Sequence, residues 1–473
     1  MPDLQVRTRT DQADLLPERA LFELEGKVRG EIIRSRDDGY DEVRSVWNAM
    51  IDKRPALIVR CSGVADVIEA VDFARENDLL LAVRGGGHNI AGVAVCDGGL
   101  VIDLSPMRGV HVDPKARTAR VQGGATFADV DHETQAFGLA VPNGVVSTTG
   151  VGGLTLGGGF GRLSRKHGLT ADNLLSADVV TADGDLVTAS ASEHPDLFWG
   201  IRGGGGNFGV VTSFEFQLHE VGPEVLFGPI VYRLDDAAEV LRNYRDFAAH
   251  APRECSVWAD FLTAPPLPFL PEEVHGTKVL FVAPFYVGDV QEGEEVLRPL
   301  REHGAPIADA VAPMPYLAAQ GAVDGLYAPG AHNYWKSHNF TEVSDRAIDV
   351  MVEHATRLPT PQSDMLISHL GGAVNDVAPD ETAYPHRDIA FVVSPGGRWE
   401  DAAQHDATIA WVRECFDALT AHATGSSYAN FIAERTGRER EAFGSNYDRL
   451  VEVKDRYDPT NLFRLNQNVT PTV

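Results

Sequence analysis

Leu79-Leu-Leu-Ala-Val-Arg-Gly-Gly-Gly-His-Asn-Ile90 is the stretch on which the reading of this chain turns. Its apolar start predicts a buried strand over residues 79–83. The strand delivers a turn of three glycines, Gly85, Gly86 and Gly87. Without Cβ atoms, the N–H groups of such a turn can converge on an anion such as a phosphate. His88 follows at once and would sit beside whatever the turn holds. An anion cradle with a histidine at its mouth suggests a covalently tethered flavin; from this segment alone, a plain glycine hairpin with an incidental histidine stays open.

The chain has 473 residues. Single cores seldom grow beyond about 250–300 residues, which predicts two domains. A formal charge of −27, from 41 basic and 68 acidic side chains, repels phosphodiester backbones and anionic lipid, so neither nucleic acid nor membrane is an expected partner. The four cysteines (Cys61, Cys96, Cys255, Cys415) show no C-x-x-C spacing, which argues against a zinc site or a disulfide framework and for a reduced compartment. The N-terminal residues lack a signal-type apolar core, and no run reaches the roughly 18 apolar residues of a membrane span. A soluble, cytoplasmic protein is expected; oligomeric state is not legible.

Outward from the opening stretch, apolar runs predict strands at 56–60, 100–104 and 118–123. The helical spacing of 63–77 predicts a helix with Ser62 as its N-cap. Residues 1–29 read as a polar lead-in with one short helix. Near Val221 glycine clusters give way to prolines and longer elements, with helices expected at 235–250 and 400–423 and strands at 277–287, 364–371 and 389–394. The expected domains are therefore 30–221, 222–425, and a C-terminal segment 426–473 that closes a helix at Tyr457-Asp-Pro-Thr-Asn-Leu-Phe463.

Two more glycine clusters stand out. Gly150-Val-Gly-Gly-Leu-Thr-Leu-Gly-Gly-Gly-Phe-Gly161 holds more glycines than a structural turn needs, and suits a backbone lying against a large planar or phosphorylated ligand. Gly204, Gly206 and Gly209 spell G-x-G-x-x-G, but the residues that follow, Val210 to Leu218, alternate as a strand. A nicotinamide-type Rossmann site needs a helix there, so that mode is rejected. No H-E-x-x-H and no G-x-S-x-G occurs.

Four segments in this order, Arg84 to His88, Gly150 to Gly161, Asp196-Leu-Phe-Trp-Gly-Ile-Arg-Gly-Gly-Gly-Gly-Asn-Phe-Gly209 and Tyr457 to Phe463, resemble the FAD-linked oxidases of the vanillyl-alcohol oxidase superfamily. The resemblance is to the berberine-bridge-enzyme-like branch, which includes 6-hydroxy-D-nicotine oxidase and gluco-oligosaccharide oxidase. It implies an α+β fold: a two-part FAD-binding domain of the PCMH type, plus a substrate domain with an antiparallel sheet covered by helices. It also implies FAD bonded to His88, with Arg84, Gly85, Gly86, Gly87 and Asn89 around the pyrophosphate. Thr149, Gly150, Gly152, Gly153, Gly157 and Gly161 would lie along the flavin. Gly206, Gly209, Val210 and Val211 would close its other side, and Asn466 and Asn468 would approach from the tail. Some members add a second bond through a cysteine; this chain has Val146 there, so a single tether is expected.

The activity implied is hydride removal from a C–H next to O or N of a small alcohol, amine or sugar-like substrate, with molecular oxygen reduced to hydrogen peroxide. A dehydrogenase using another acceptor is the alternative. A flavin-binding scaffold without turnover is a third reading, because the family's Y-x-N-Y stands here as Tyr428-Ala-Asn-Phe431. Tyr428 remains a candidate base if a neighbour lowers its pKa from about 10. The other candidates are His369, which shares a strand face with Met365 and Ile367, then Asp376, and Tyr334 as a pocket residue.

Overall fold

The strand of the opening stretch runs as Leu81–Arg84 and lies parallel to Leu100–Asp103, which in turn lies parallel to Leu57–Arg60. Glu31–Arg34 completes this four-stranded sheet on the far edge. The computed structural model that shows this describes residues 3–434 and 437–472. Leu57, Ile58 and Val59 are all buried, as befits a parallel strand covered on both faces. The helix Val64–Glu76 carries the chain between parallel strands and buries Val67, Ala70, Val71 and Ala74 as one stripe. Its N-cap is Gly63, not Ser62. The Asp66 carboxylate reaches back instead, accepting the N–H groups of Ser62 at 2.8 Å, Arg29 at 2.8 Å and Gly30 at 3.0 Å, so the serine hydroxyl is not needed.

The lead-in is more ordered than its sequence suggests. Leu4–Arg7 pairs with Ala13–Leu16 as a hairpin before the helix Glu18–Glu25. Four-residue strands carry too little alternation to declare themselves.

A second, antiparallel sheet orders its strands Leu186–Ser190, Leu174–Val180, Val210–Gln217, Thr118–Gln122 and Val110–Asp113. Val210–Gln217 is the strand that follows the third glycine cluster, as its alternation requires. The third sheet has ten antiparallel strands, all between residues 224 and 399, centred on Lys278–Tyr286, Cys255–Thr263, Asp364–His369 and Phe391–Trp399. Helices Ala237–Ala248, Val290–Arg301, Asp345–Ala355 and His405–Leu419 cover one face. There Val257, Ala259, Phe261, Met365, Ile367 and Val393 pack against Leu241, Tyr244, Leu297, Ile348, Met351 and Val412. The alternate residues of the same strands face the other way, toward the rest of the chain. This is an α+β fold with a helix-covered antiparallel sheet.

The C-terminal helix Tyr447–Tyr457 returns to the second sheet's core, where Leu450, Val453 and Tyr457 join Trp199, Ile201 and Phe208. Among the described residues no helix is long and apolar enough to cross a membrane.

Candidate active site

A cavity of about 310 Å³ runs between the three glycine clusters and the free face of the large sheet. The first cluster leaves the strand end at Arg84. That side chain does not line the cavity as expected. Its guanidinium turns back to the Val43 carbonyl and lies 4.0 Å from Asp103, which braces the turn from behind. Gly86 and Gly150 stand back to back: a Cβ on Gly86 would lie 2.5 Å from Gly150 Cα, and one on Gly150 would lie 2.3 Å from Gly86 N. Only glycine fits either position. Gly85, Gly86, Gly87 and Asn89 line the cavity, and Gly87 has φ +70°. The N–H groups of Gly86, Gly87 and His88 donate to no protein acceptor among the described residues. Unused main-chain donors converging on a cavity are what an anion site consists of. No lysine or arginine is among the described residues lining the cavity, so a pyrophosphate would meet uncharged donors, these amides among them.

His88 lies on the cavity wall, stacked on Trp47 with ring centroids 5.2 Å apart. Its Nε2 is 3.0 Å from Thr148 Oγ1. Burial lowers its pKa to about 4, so the imidazole is neutral at neutral pH. Trp47 also joins the histidine's support to the opposite wall, because its Nε1–H donates to the Tyr327 carbonyl at 2.7 Å.

The second cluster forms the short helix Val151–Leu156 and the loop after it; Thr149, Gly150, Gly152, Gly153 and Gly157 line the cavity. Gly161 does not. A Cβ there would lie 1.9 Å from the Asn143 carbonyl oxygen, so this glycine serves chain packing. From the third cluster Gly206, Gly209, Val210 and Val211 line the cavity. Asn466 does too, and its Nδ2 donates to the Gly206 carbonyl at 2.9 Å. Asn468 instead turns to Thr470 at 3.3 Å and lies off the cavity.

The third cluster is held by residues that no motif singles out. Lys454, fully buried, donates to Asp458 at 2.6 Å, to the Asn207 carbonyl at 2.8 Å and to the Phe463 carbonyl at 3.0 Å. Asn207 Nδ2 donates to the Gln467 carbonyl, and Asn207 Oδ1 accepts from Val469 N–H. Burial lowers the Lys454 pKa, and Asp458 holds it back up. The spacing of Lys454 and Asp458, four apart across a helix end, is the one signal in the sequence that could have found them.

On the sheet side, the residues that reach the cavity are Asp364, Leu366, Ser394 and Gly396. His369 belongs to the other, helix-covered face of its strand. It is buried, stacked on Phe391 at 5.5 Å, with burial and the Arg165 guanidinium holding its pKa well below the usual range. Met365, Ile367 and His369 do share a face, but that face is core. Asp376 lies beyond the strand in an exposed ion pair with Arg253 at 2.5 Å. Tyr334 also misses the cavity: its hydroxyl donates to Glu434 at 2.5 Å, accepts from Arg413 at 3.2 Å, and its pKa is pushed up to about 12 by burial. Its neighbour Trp335 lines the wall instead.

Tyr428 does reach the cavity. Its oxygen accepts hydrogen bonds from Gly159 N–H at 3.1 Å and Asn430 Nδ2 at 2.8 Å, but burial outweighs both and pushes its pKa up to about 12. No cationic side chain among the described residues offsets that rise. Phe431 packs edge-on to it at 5.0 Å.

The unused amides, the glycine pair that excludes any side chain and the apolar walls together fit a bound dinucleotide with a flat ring system. Similarity to known proteins points the same way. Residues 55–190 match the FAD binding domain model, and residues 427–470 match the berberine and berberine-like model. The uncharacterized FAD-linked oxidoreductase YgaK of Bacillus subtilis is 33% identical over 94% of this chain and 98% of its own. (R)-6-hydroxynicotine oxidase of Paenarthrobacter nicotinovorans is 32% identical over 94% of this chain and 97% of its own. The crystal structure of 6-hydroxy-D-nicotine oxidase from Arthrobacter nicotinovorans superposes with a TM-score of 0.85 at 30% identity, covering 93% of this chain and 98% of that one. With this extent of likeness over fold and sequence, the chain belongs to the FAD-linked oxidoreductases that carry a berberine-like C-terminal segment.

Proposed function

We propose that the protein is an oxidase that tethers FAD once, through His88, and takes a hydride from a C–H bond next to nitrogen or oxygen in a small molecule, with molecular oxygen leaving as hydrogen peroxide. The observation that carries the reading is the neutral His88 at the edge of a cradle whose Gly86, Gly87 and His88 amides have no protein acceptor among the described residues. Bound FAD supplies the two-electron chemistry. The chain supplies the rest: amides of residues 86–88 for the pyrophosphate, glycine walls for the ring system, and a histidine whose Nε2 is engaged by Thr148, leaving Nδ1 for the bond to the flavin. Val146 lines the cavity where a second tether would need a thiol, which supports a single bond. All four cysteines are free and buried, which supports a cytoplasmic assignment.

Acid precipitation tests the tether. Yellow colour retained in the pellet, and released by acid from His88→Ala, is the expected result; acid-stable flavin in His88→Ala would sink the assignment. Anaerobic mixing with a panel of amines, alcohols and oligosaccharides should bleach the flavin for at least one class, with rapid return of colour and peroxide on admitting air. Slow return would favour a dehydrogenase, and bleaching by none of them a scaffold.

A further inference from the structure

The wall opposite the glycine clusters carries a charge that holding a flavin does not require. Asp364 is the one acidic side chain among the described residues lining the cavity. Across the strand pair stands Gly396, where a Cβ would lie 2.2 Å from Asp364 Oδ1. That glycine makes the room the carboxylate occupies. Tyr327 OH donates to Oδ2 at 2.5 Å, and Tyr327 is itself tied through its carbonyl to Trp47, the residue stacked on His88. No protein group among the described residues donates to Oδ1. The carboxylate is thus fixed on one oxygen and open on the other.

Its charged surroundings come from the two neighbouring strands, beside the Tyr327 hydroxyl. Asp260, on the adjacent strand Cys255–Thr263, is pushed well up by burial and then by the charge of Asp364. Asp364 itself is pushed up to about 6 by burial, held back by the Tyr327 hydrogen bond and the Arg398 guanidinium. Arg398, on Phe391–Trp399, donates to Asn333 and to the Ala328 carbonyl rather than to Asp364. Of the two carboxyls Asp260 is held toward its neutral form, and Asp364 is the one that carries the negative charge of the pair. The cavity it faces is lined by Phe160, Leu366, Trp335 and Phe431, with Ser394, Tyr428 and Asn430 as polar side chains on that side.

We infer that this cavity selects a largely apolar amine whose cationic nitrogen docks on Asp364, making Asp364 the residue that determines substrate class. The inference rests on the oxidase reading of the same cavity. A single carboxylate in an apolar wall matches a single positive centre. A sugar would give up water at many hydroxyls with few partners in return. Ser394 Oγ already donates to the Lys336 carbonyl at 3.1 Å and has only acceptor sites left, and the Tyr428 oxygen already accepts twice and has only its O–H to give. The net charge of −27 also raises the local concentration of cations.

Benzylamine and benzyl alcohol share a shape and differ in charge. Titrating each calorimetrically into the flavin-loaded protein at about pH 7.5 and about pH 5 reads the preference without turnover. Benzylamine is expected to bind at least about tenfold more tightly than the alcohol at the higher pH. The preference should shrink at the lower pH, where Asp364 is protonated, and vanish in Asp364→Asn while Asp364→Glu keeps most of it. Equal affinities, a preference for the alcohol, no binding of either, or a preference that survives Asp364→Asn each overturns the inference. The pH arm needs no variant, so a misfolded variant does not shield it. Failure of the parent reading shows separately, as bound flavin that no amine, alcohol or oligosaccharide bleaches, or whose colour returns only slowly in air.

Discussion

The two surfaces that face each other across the cavity are built from different parts of the chain. On the flavin side the lining is mostly main chain, from Gly85, Gly86, Gly150, Gly153 and Gly206, with donors that no other described protein group uses. On the sheet side it is alternate side chains of two neighbouring strands, Asp364, Leu366 and Ser394, with Gly396 only making space. A ligand of constant shape can be held by backbone, whereas a particular substrate has to be read by side chains. Cofactor binding and substrate choice are therefore separable in this molecule. The harshest way to break that contrast is Gly150→Ala. Its Cβ would lie 2.3 Å from the Gly86 backbone nitrogen, which cannot swing aside as a side chain can. We expect flavin content per chain to fall by at least about tenfold, read from the visible absorbance of purified protein. If Gly150→Ala keeps its flavin, the cradle is not the rigid backbone surface described.

The same contrast explains what was legible beforehand. Glycine clusters announce close backbone approach whatever the register, but it was the resemblance of the four segments to FAD-linked oxidases that assigned Gly85 to Gly87, Gly150 to Gly157 and Gly206 to Val211 to one ligand. Gly161 and Asn468 carried that resemblance too far: a glycine that avoids a carbonyl and one that faces a ligand look alike in sequence, and so do two asparagines of the tail of which one turns inward. On the sheet side His369, Asp376 and Tyr334 were candidates and none of them lines the cavity. The alternation of 364–369 gave two faces, and His369 drew attention to the one that packs under the helices. Nothing in a lone strand says which face meets helices; that is decided by Ile348, Met351 and Val412, far along the chain. Asp364 was overlooked for the same reason, and Tyr327 because it lies on a three-residue-per-turn helix, Asp324–Tyr327, with no pattern of its own.

Next in size is the ion pair that holds the third glycine cluster. Lys454 and Asp458 are both fully buried, and the lysine also serves two carbonyls. Removing one partner strands the other charge. Lys454→Met should therefore lower stability by about 3–5 kcal/mol in urea unfolding. Loss of flavin at urea concentrations below the main transition would sharpen the comparison, since it would show that the main-chain surface depends on a remote side-chain lock. A Lys454→Met protein as stable as the parent would mean that the lock is not needed.

The carboxyl on the other surface predicts a pH effect of smaller size. The Asp364 pKa rises from an unfolded value of about 3.9 to about 6 on folding. The folded state then binds more protons than the unfolded state between those values. Stability from this group is greatest below about pH 4 and is lost as pH rises through about 6. Replacing it by asparagine should remove that slope. With allowance for Asp260 and Arg398, Asp364→Asn gains about 1–2 kcal/mol over the parent at neutral pH and nothing at about pH 4. Equal stability of the two proteins at neutral pH would show that Asp364 is solvated well enough to ionise freely, and would weaken its claim to be a buried docking charge.

The smallest effect is expected where sequence reasoning had placed a catalytic group. Gly371 and Gly372 both take positive φ, +83° and +59°, at the end of the strand Asp364–His369, and the turn Gly372–Asp376 leads the chain away from the sheet. Asp376 ends on the outside, paired with Arg253 at 2.5 and 3.0 Å with both side chains about half exposed. A surface pair of this kind is worth about 0.2–1 kcal/mol, since water competes for both partners. Asp376→Asn should therefore change unfolding free energy by no more than about 1 kcal/mol, and leave flavin content and the rate of anaerobic bleaching unaltered. The contrast with Asp364→Asn is the point of the measurement. Two aspartates twelve positions apart in one strand and turn are expected to behave as a substrate-reading group and a bystander, because one faces the cavity and the other faces solvent. Should Asp376→Asn slow bleaching as much as Asp364→Asn does, the side-chain surface would have to extend round the strand end, and the division between the two halves of the cavity would fail.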